Sequence, residues 1–259
     1  MMILNKIRTK ISLLRNRTRN RFKKPSIIFY YHRIAEVKDD PCLLSVSLEN
    51  FEKQLLYLKE NYKIVSLRKL VAGLRMGKVD PGLVVITFDD GYADNYTNAL
   101  PIIEKLKVPA TFFVVAGKIG ATQPFYWDKK TDMKDQGRAI TRDELINMVK
   151  SPFVEIGAHT MTHPRLSELT KKEQQYEVEE CRRQLGYICK KPVTFFSYPF
   201  GRLSDFTCET IDLVKAAGYE AACSTVEKTI SKRASLYILP RRIVRNWNIA
   251  EFTNYIKNL

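Results

Sequence analysis

Apolar runs of five or six residues recur along this chain. Between them, apolar positions come three and four apart. Ser26-Ile27-Ile28-Phe29-Tyr30-Tyr31 reads as a buried strand ending at His32, and Leu83–Phe88 as another. In residues 48–60, Phe51, Leu55, Leu56 and Leu58 mark the apolar side of a helix. Ser66 opens a further helix, closed by Gly73 or Gly77. Residues 93–106 read as a helix that Pro101 kinks or splits. A strand follows at 111–115. Thr141-Arg142-Asp143-Glu144 and Thr170-Lys171-Lys172-Glu173 are capping boxes opening two helices, with a strand at 153–158 between them. Residues 193–198 give a strand, then a helix to Ala217 with Gly218 just past its end. Strands at 220–223 and 237–244 and a helix at 249–258 close the chain.

Repeated strand–helix alternation with apolar strands predicts a parallel sheet covered by helices. An open doubly wound sheet and a barrel both satisfy the pattern. In either architecture function gathers at the C-terminal ends of the strands. His32, Asp89 with Asp90, His159 and Pro199-Phe200-Gly201 all fall at such ends. Residues 117–140 lack periodicity, and a loop of that length inside a compact domain is usually functional.

Composition changes this picture mainly at one end. The 259 residues are 45% hydrophobic and 27% charged, an ordinary globular balance. The net charge of +15 is uneven: residues 1–24 hold nine Lys/Arg and no Asp/Glu, leaving 34 basic against 28 acidic residues beyond them. We therefore expect two parts, a basic arm at 1–24 and a folded domain at 25–259. The arm reads either as a solvated basic tail or as an amphipathic helix attracted to an anionic membrane surface. Nucleic-acid binding is disfavoured, because no aromatics interleave the basic residues and no nucleic-acid motif follows. No secretory h-region and no run of about 18 apolar residues is present. The five cysteines contain no C-x-x-C pair. Reduced thiols and a cytoplasmic location, extending to the inner membrane face, are the expectation.

The candidate chemistry starts at Thr87-Phe88-Asp89-Asp90-Gly91-Tyr92. Two carboxylates at the end of a buried strand repel each other and lose hydration. Such a pair calls for a cation or a proton-transfer task, unless Asp-Asp-Gly is only an Asx-type turn. Successive side chains point to opposite sides on leaving a strand, so the two need not share one job. His159 and His163 flank Thr160-Met161-Thr162 and can reach one ion from a loop or single turn. Two imidazoles with a carboxylate suit zinc or a similar divalent ion. The H-E-x-x-H pattern is absent. His32 is the remaining histidine, either a hydrogen-bonded core residue or a general acid. Tyr198-Pro199-Phe200-Gly201 is either a plain turn or a source of backbone N–H groups for an oxyanion.

In combination, T-F-D-D-G-Y, then H-T-x-x-H-P, then F-x-Y-P-F-G resemble the polysaccharide deacetylases, family 4 carbohydrate esterases with the NodB-homology domain. The resemblance spans roughly residues 26–245. It implies a deformed (β/α) barrel of about seven parallel strands and removal of N-acetyl groups from an amino-sugar glycan. It also implies a divalent metal, zinc first, with cobalt or nickel as alternatives. Carried over by motif, Asp89 is the base, Asp90, His159 and His163 are the metal ligands, and the Phe200 N–H is the oxyanion donor. The usual acid histidine near the C-terminus is missing, because Ile238-Leu239-Pro240-Arg241-Arg242-Ile243 occupies that region. Tyr30-Tyr31-His32-Arg33 resembles the early Y-H motif of the branch containing the poly-N-acetylglucosamine deacetylases, which makes His32 the acid. Arg241 either replaces the family arginine that holds the base or is a surface residue. Other readings keep the site and change the reaction to deacetylation or deformylation of a lipid-linked sugar, or to hydrolysis of an O-acetyl ester. Another retains only glycan binding. Phe125-Tyr126-Trp127-Asp128 offers an aromatic wall for a pyranose, or a loop packed back on the domain.

Overall fold

The computed structural model describes residues 24–128 and 137–259. The basic arm up to residue 23 and part of the 117–140 loop lie outside the described residues. Six strands follow in the first half: β1 (Ile27–Tyr31), β2 (Arg33–Ile34), β3 (Ser45–Val46), β4 (Lys63–Ile64), β5 (Leu83–Phe88) and β6 (Ala110–Val114). The second half adds β7 (Val154–Ala158), β8 (Phe195–Ser197), β9 (Ala221–Cys223) and β10 (Arg242–Ile243). The helices are α1 (Leu48–Asn61), α2 (Leu67–Arg75), α3 (Leu100–Leu106), α4 (Arg142–Met148), α5 (Lys171–Cys189), α6 (Cys208–Ala216) and α7 (Ile249–Lys257). Ser47, Ser66, Thr141, Thr170, Thr207 and Asn248 each cap a helix with a side-chain oxygen. Residues Asn95–Ala99 form a π-helical turn before α3, and Pro101 sits in the first turn of α3, where its missing N–H costs nothing.

The main sheet is parallel throughout, in the order β10-β1-β5-β6-β7-β8-β9, with β4 also pairing with the start of β5. It curls until its two edges nearly meet. Leu239 bridges Cys223 of β9, and Arg242 three residues later pairs with Phe29 of β1. One segment thus links both edges, giving a deformed barrel. The continuous last strand expected at 237–244 is broken in the structure. Pro240 offers no ladder N–H, and the Arg241 N–H bonds to Val226 outside the sheet.

Strand parity decides what faces where. Ile27, Phe29, Val84, Ile86, Phe88 and Phe112 join the large core under the outer helices. The alternate residues Ile28, Val85, Phe113 and Phe195 fill the barrel interior, which α2 plugs at the N-terminal end with Leu67, Leu70 and Val71. Gly157 belongs to this interior, since a Cβ there would meet the Phe113 ring at 2.4 Å. Continuing the inward parity along each strand gives Tyr30 and His32 from β1, Thr87 and Asp89 from β5, His159 from β7 and Ser197 from β8. The same alternation that builds the core therefore delivers the polar residues at the open end.

Candidate active site

The β1–β5 register, ending at Tyr31 opposite Phe88, brings His32 and Asp89 side by side although 57 positions separate them in sequence. The Asp89 N–H donates to the Tyr31 carbonyl at 3.0 Å. Asp90 then adopts φ 73° and Gly91 φ 78°. This left-handed step swings Asp90 back into the cavity that Asp89 faces. The strict alternation expected after the strand does not continue through Asp90. Gly91 has little room for a side chain, since a Cβ would lie 2.9 Å from Val114.

Asp90 Oδ1 lies 3.5 Å from both His159 Nε2 and His163 Nε2. One donor atom from each of the three residues falls within 4.8 Å of the others, and all three residues are buried. His159 Nδ1 is 2.7 Å from the Ser197 carbonyl, to which its N–H donates, leaving Nε2 as the free donor pair. His163 is held otherwise. Its buried Nδ1 makes no hydrogen bond among the described residues. The ring instead packs against Trp127 at 4.6 Å and Phe200 at 5.1 Å. Burial pushes the His163 pKa down to about 4, while carboxylates outweigh burial at His159 and raise it. One anionic oxygen and two imidazole nitrogens converging in a buried site fit a divalent cation, and among the described residues no Lys or Arg pairs with Asp90.

Asp89 is held by a different partner. Arg241 is fully buried and donates to Asp89 from Nη1 at 2.8 Å and Nη2 at 2.7 Å. The same guanidinium reaches the Thr87 hydroxyl, the Ser197 hydroxyl and the Ser224 carbonyl. Burial would raise the Asp89 pKa, but Arg241 outweighs it and holds the carboxyl at about 2. Arg241 is thus no surface residue. Asp89 carries the fixed pair while Asp90 faces the imidazoles.

His32 lines the cavity beside Asp89 and Asp90, and burial lowers its pKa. Its carbonyl accepts from Asn95 Nδ2 at 2.8 Å. Phe200 adopts φ 58°, and its N–H has no hydrogen-bond partner among the described residues. The described residues include seven non-glycine residues with positive φ, of which Asp90, Thr160, His163 and Phe200 belong to this site. Each such conformation costs about 1–3 kcal/mol and persists only where the surroundings over-determine it. The cavity has a volume of about 310 Å³. Tyr126, half exposed, and Trp127 form part of its wall. Trp127 Nε1 donates to the Tyr92 hydroxyl, which donates to Asp128, so the aromatic segment is anchored from behind.

All seven residues singled out in the sequence converge. His32, Asp89, Asp90, His159, His163 and Phe200 line the cavity, and Arg241 lies beneath Asp89. Thr87, Ser197 and Tyr30 escaped sequence reading. The signal available for them was strand parity, since each sits on the inward side two residues from a chemistry-bearing position or its neighbour.

The polysaccharide deacetylase family model matches residues 76–222. A poly-β-1,6-N-acetyl-D-glucosamine N-deacetylase of Staphylococcus aureus is 28% identical over 228 residues, covering 85% of this chain and 73% of that protein. A Streptococcus pyogenes deacetylase, PplD, solved in complex with acetate, superposes with a TM-score of 0.75 at 22% identity, covering 90% of this chain and 97% of that one. IcaB from Ammonifex degensii gives 0.74 at 21% identity, covering 90% and 96%. At these identities the two structural likenesses establish the shared fold.

Proposed function

The chain belongs to the polysaccharide deacetylase family, and on that premise we propose that it hydrolyses N-acetyl groups on an amino-sugar glycan with a divalent metal, zinc first, at Asp90, His159 and His163. One observation carries the reading: the Asp-His-His cluster sits next to a second carboxylate that Arg241 keeps ionised, in one cavity. The S. aureus relative, whose named substrate is poly-β-1,6-N-acetyl-D-glucosamine, supports an N-acetylglucosamine polymer.

A bound ion would supply Lewis-acid chemistry, polarising the acetyl carbonyl and lowering the pKa of water at the site. The remaining work falls to the chain. Asp89, held ionised by Arg241, accepts the proton of the attacking water. The Phe200 N–H donates to the oxygen on which charge develops. His32 gives its proton to the departing sugar amine. The lowered pKa of His32 makes its protonated ring a stronger donor. Free amine and acetate result. Tyr126 and Trp127 offer flat faces to the pyranose.

Residues 1–24 and 25–259 are proposed as separate parts, the second being the catalytic domain. The arm's charge supports peripheral attachment to an anionic membrane, at the inner face in a cytoplasmic setting. Lys24 sits at the N-terminal end of β1, bonded to Asn61 and Gly82, whereas the cavity lies beyond the C-terminal end. Five strand residues at ~3.3 Å each separate the two ends. The arm thus joins the domain at the end opposite the cavity.

The test is acetate release from the metal-loaded protein on N-acetylglucosamine oligomers, O-acetylated glycan and lipid-linked amino sugar. Acetate from the oligomers supports the proposal. Release only from the other two substrates moves the activity to them, and release from none leaves a glycan-binding homologue.

A further inference from the structure

The loop between the two histidines is built in an unfavourable backbone conformation, and one buried carboxylate fastens it. Thr160 and His163 have φ 65° and 62°. Positive φ in a β-branched residue such as Thr160 is a true outlier. The loop is stapled internally, with the Thr160 hydroxyl donating to the His159 carbonyl at 2.6 Å and accepting the His163 N–H at 3.0 Å. From outside, the Ala116 and Gly117 N–H groups donate to the Thr160 and Met161 carbonyls.

Three of the loop's donors turn to one residue. Glu177 Oε2 accepts the Met161 N–H at 2.7 Å and the Thr162 N–H at 2.9 Å. Its Oε1 accepts the Thr162 hydroxyl at 2.6 Å. Glu177 is 6% exposed and forms no ion pair among the described residues. Among the described residues, its hydrogen-bond partners are the loop's donors. Successive N–H groups beside a left-handed residue form a concave anion cradle, and here a side chain of the protein fills it.

Glu177 belongs to a stripe on α5. Cys181 and Gln184, four and seven positions on, share its face. Cys181 Sγ approaches the Val114 carbonyl at 3.9 Å, and Gln184 Nε2 donates to the Ala116 carbonyl at 3.3 Å. One face of the helix thus grips the ends of both β6 and β7.

We propose that Glu177 is a positioning residue for the metal centre, fixing the His159-to-His163 loop so that both Nε2 atoms meet Asp90 without metal to pull them together. The role rests on the metal-site reading above. Removing the carboxylate leaves the buried Met161 N–H and the Thr162 N–H without their acceptor, and the loop loses its reason to stay left-handed at Thr160 and His163. Partners of this outer kind typically change metal affinity roughly 10- to 100-fold.

The experiment measures zinc affinity of the full chain by chelator competition, and the visible spectrum of the cobalt form, for wild type, Glu177→Gln and Thr162→Val. Thr162→Val removes only the hydroxyl donor and keeps a foldable control. The expected result is one zinc per wild-type chain, an affinity lowered roughly 10- to 100-fold in Glu177→Gln and less in Thr162→Val, and an altered cobalt spectrum. Activity of both variants should recover towards wild type at saturating zinc, with KM for glycan unchanged. A merely structural role would lower the melting temperature and leave the folded protein's zinc affinity and cobalt spectrum as in wild type, and that result overturns the proposal. Wild-type affinity in Thr162→Val, if Glu177→Gln does not fold, also overturns it. Wild-type protein that binds no zinc overturns the metal site itself, and is distinguished by the wild-type measurement alone.

Discussion

Replacing Arg241 with methionine keeps much of the side chain's length and bulk and deletes the charge beneath Asp89. In the native fold the guanidinium gives Asp89 two hydrogen bonds of 2.8 and 2.7 Å, both groups being buried. Burial alone would raise the carboxyl above its ordinary 3.8, and Arg241 instead holds it at about 2. At ~1.4 kcal/mol per tenfold, that difference corresponds to about 2 kcal/mol of stability. Because the folded pKa is the lower one, this contribution is complete above pH ~4 and is lost as pH falls towards ~2. The variant keeps a buried carboxylate without its cation, a change that typically costs about 3–5 kcal/mol near neutrality. Without Arg241, burial of Asp89 is opposed only by the charges of His159 and His32, and its pKa lies above the wild-type one. The folded variant then takes up its proton at higher pH than wild type, and the difference in stability shrinks as pH falls. Urea unfolding at pH 7 and again near pH 4 should show a wild-type advantage of several kcal/mol that narrows on acidification. Acetate release should report the same event, with the acid limb of kcat/KM moving upward in the variant as Asp89 becomes harder to ionise. A variant that loses less than about 1 kcal/mol at pH 7 and keeps the wild-type acid limb would refute the assignment of Arg241 as the group that holds the base.

Asp89→Asn and His32→Ala should each lower kcat by at least about 10²-fold while retaining one bound metal per chain, measured by elemental analysis; loss of metal in either would move that residue into the ligand set. His163→Ala and Asp90→Asn should do the reverse, losing metal in dialysis against a weak chelator. Tyr126→Ala, at a half-exposed position, should leave the melting temperature in place and raise KM for the oligomer, and unchanged KM would remove the residue from the sugar wall. Deleting residues 1–23 should abolish co-sedimentation with vesicles containing anionic lipid and spare turnover of soluble oligomers; retained sedimentation would place membrane attachment elsewhere.

The sequence by itself determined the order of the helices and of the longer strands, because each carries its own period or its own caps, whereas the two-residue strands β2, β3 and β4 are too short to carry one. It also determined the chemistry's address. Thr87-Phe88-Asp89-Asp90 and His159 through His163 are short local patterns, and a parallel βα repeat forces strand ends to one rim. It left open whether the sheet is open or curled, since alternation is identical in both. Only the tertiary structure decided that. The curl brings Leu239 to β9 and Arg242 to β1, and so drops Arg241 beneath Asp89 across 152 positions of chain. No local pattern distinguishes that arginine from its neighbour Arg242. Likewise the left-handed turn at Asp90 and the grip of Glu177 on the histidine loop arise from packing between distant segments. Periodicity reports which side a residue faces. Which partner it meets there is set by how the strands curl and how α5 docks, and those depend on the summed contacts of the whole core.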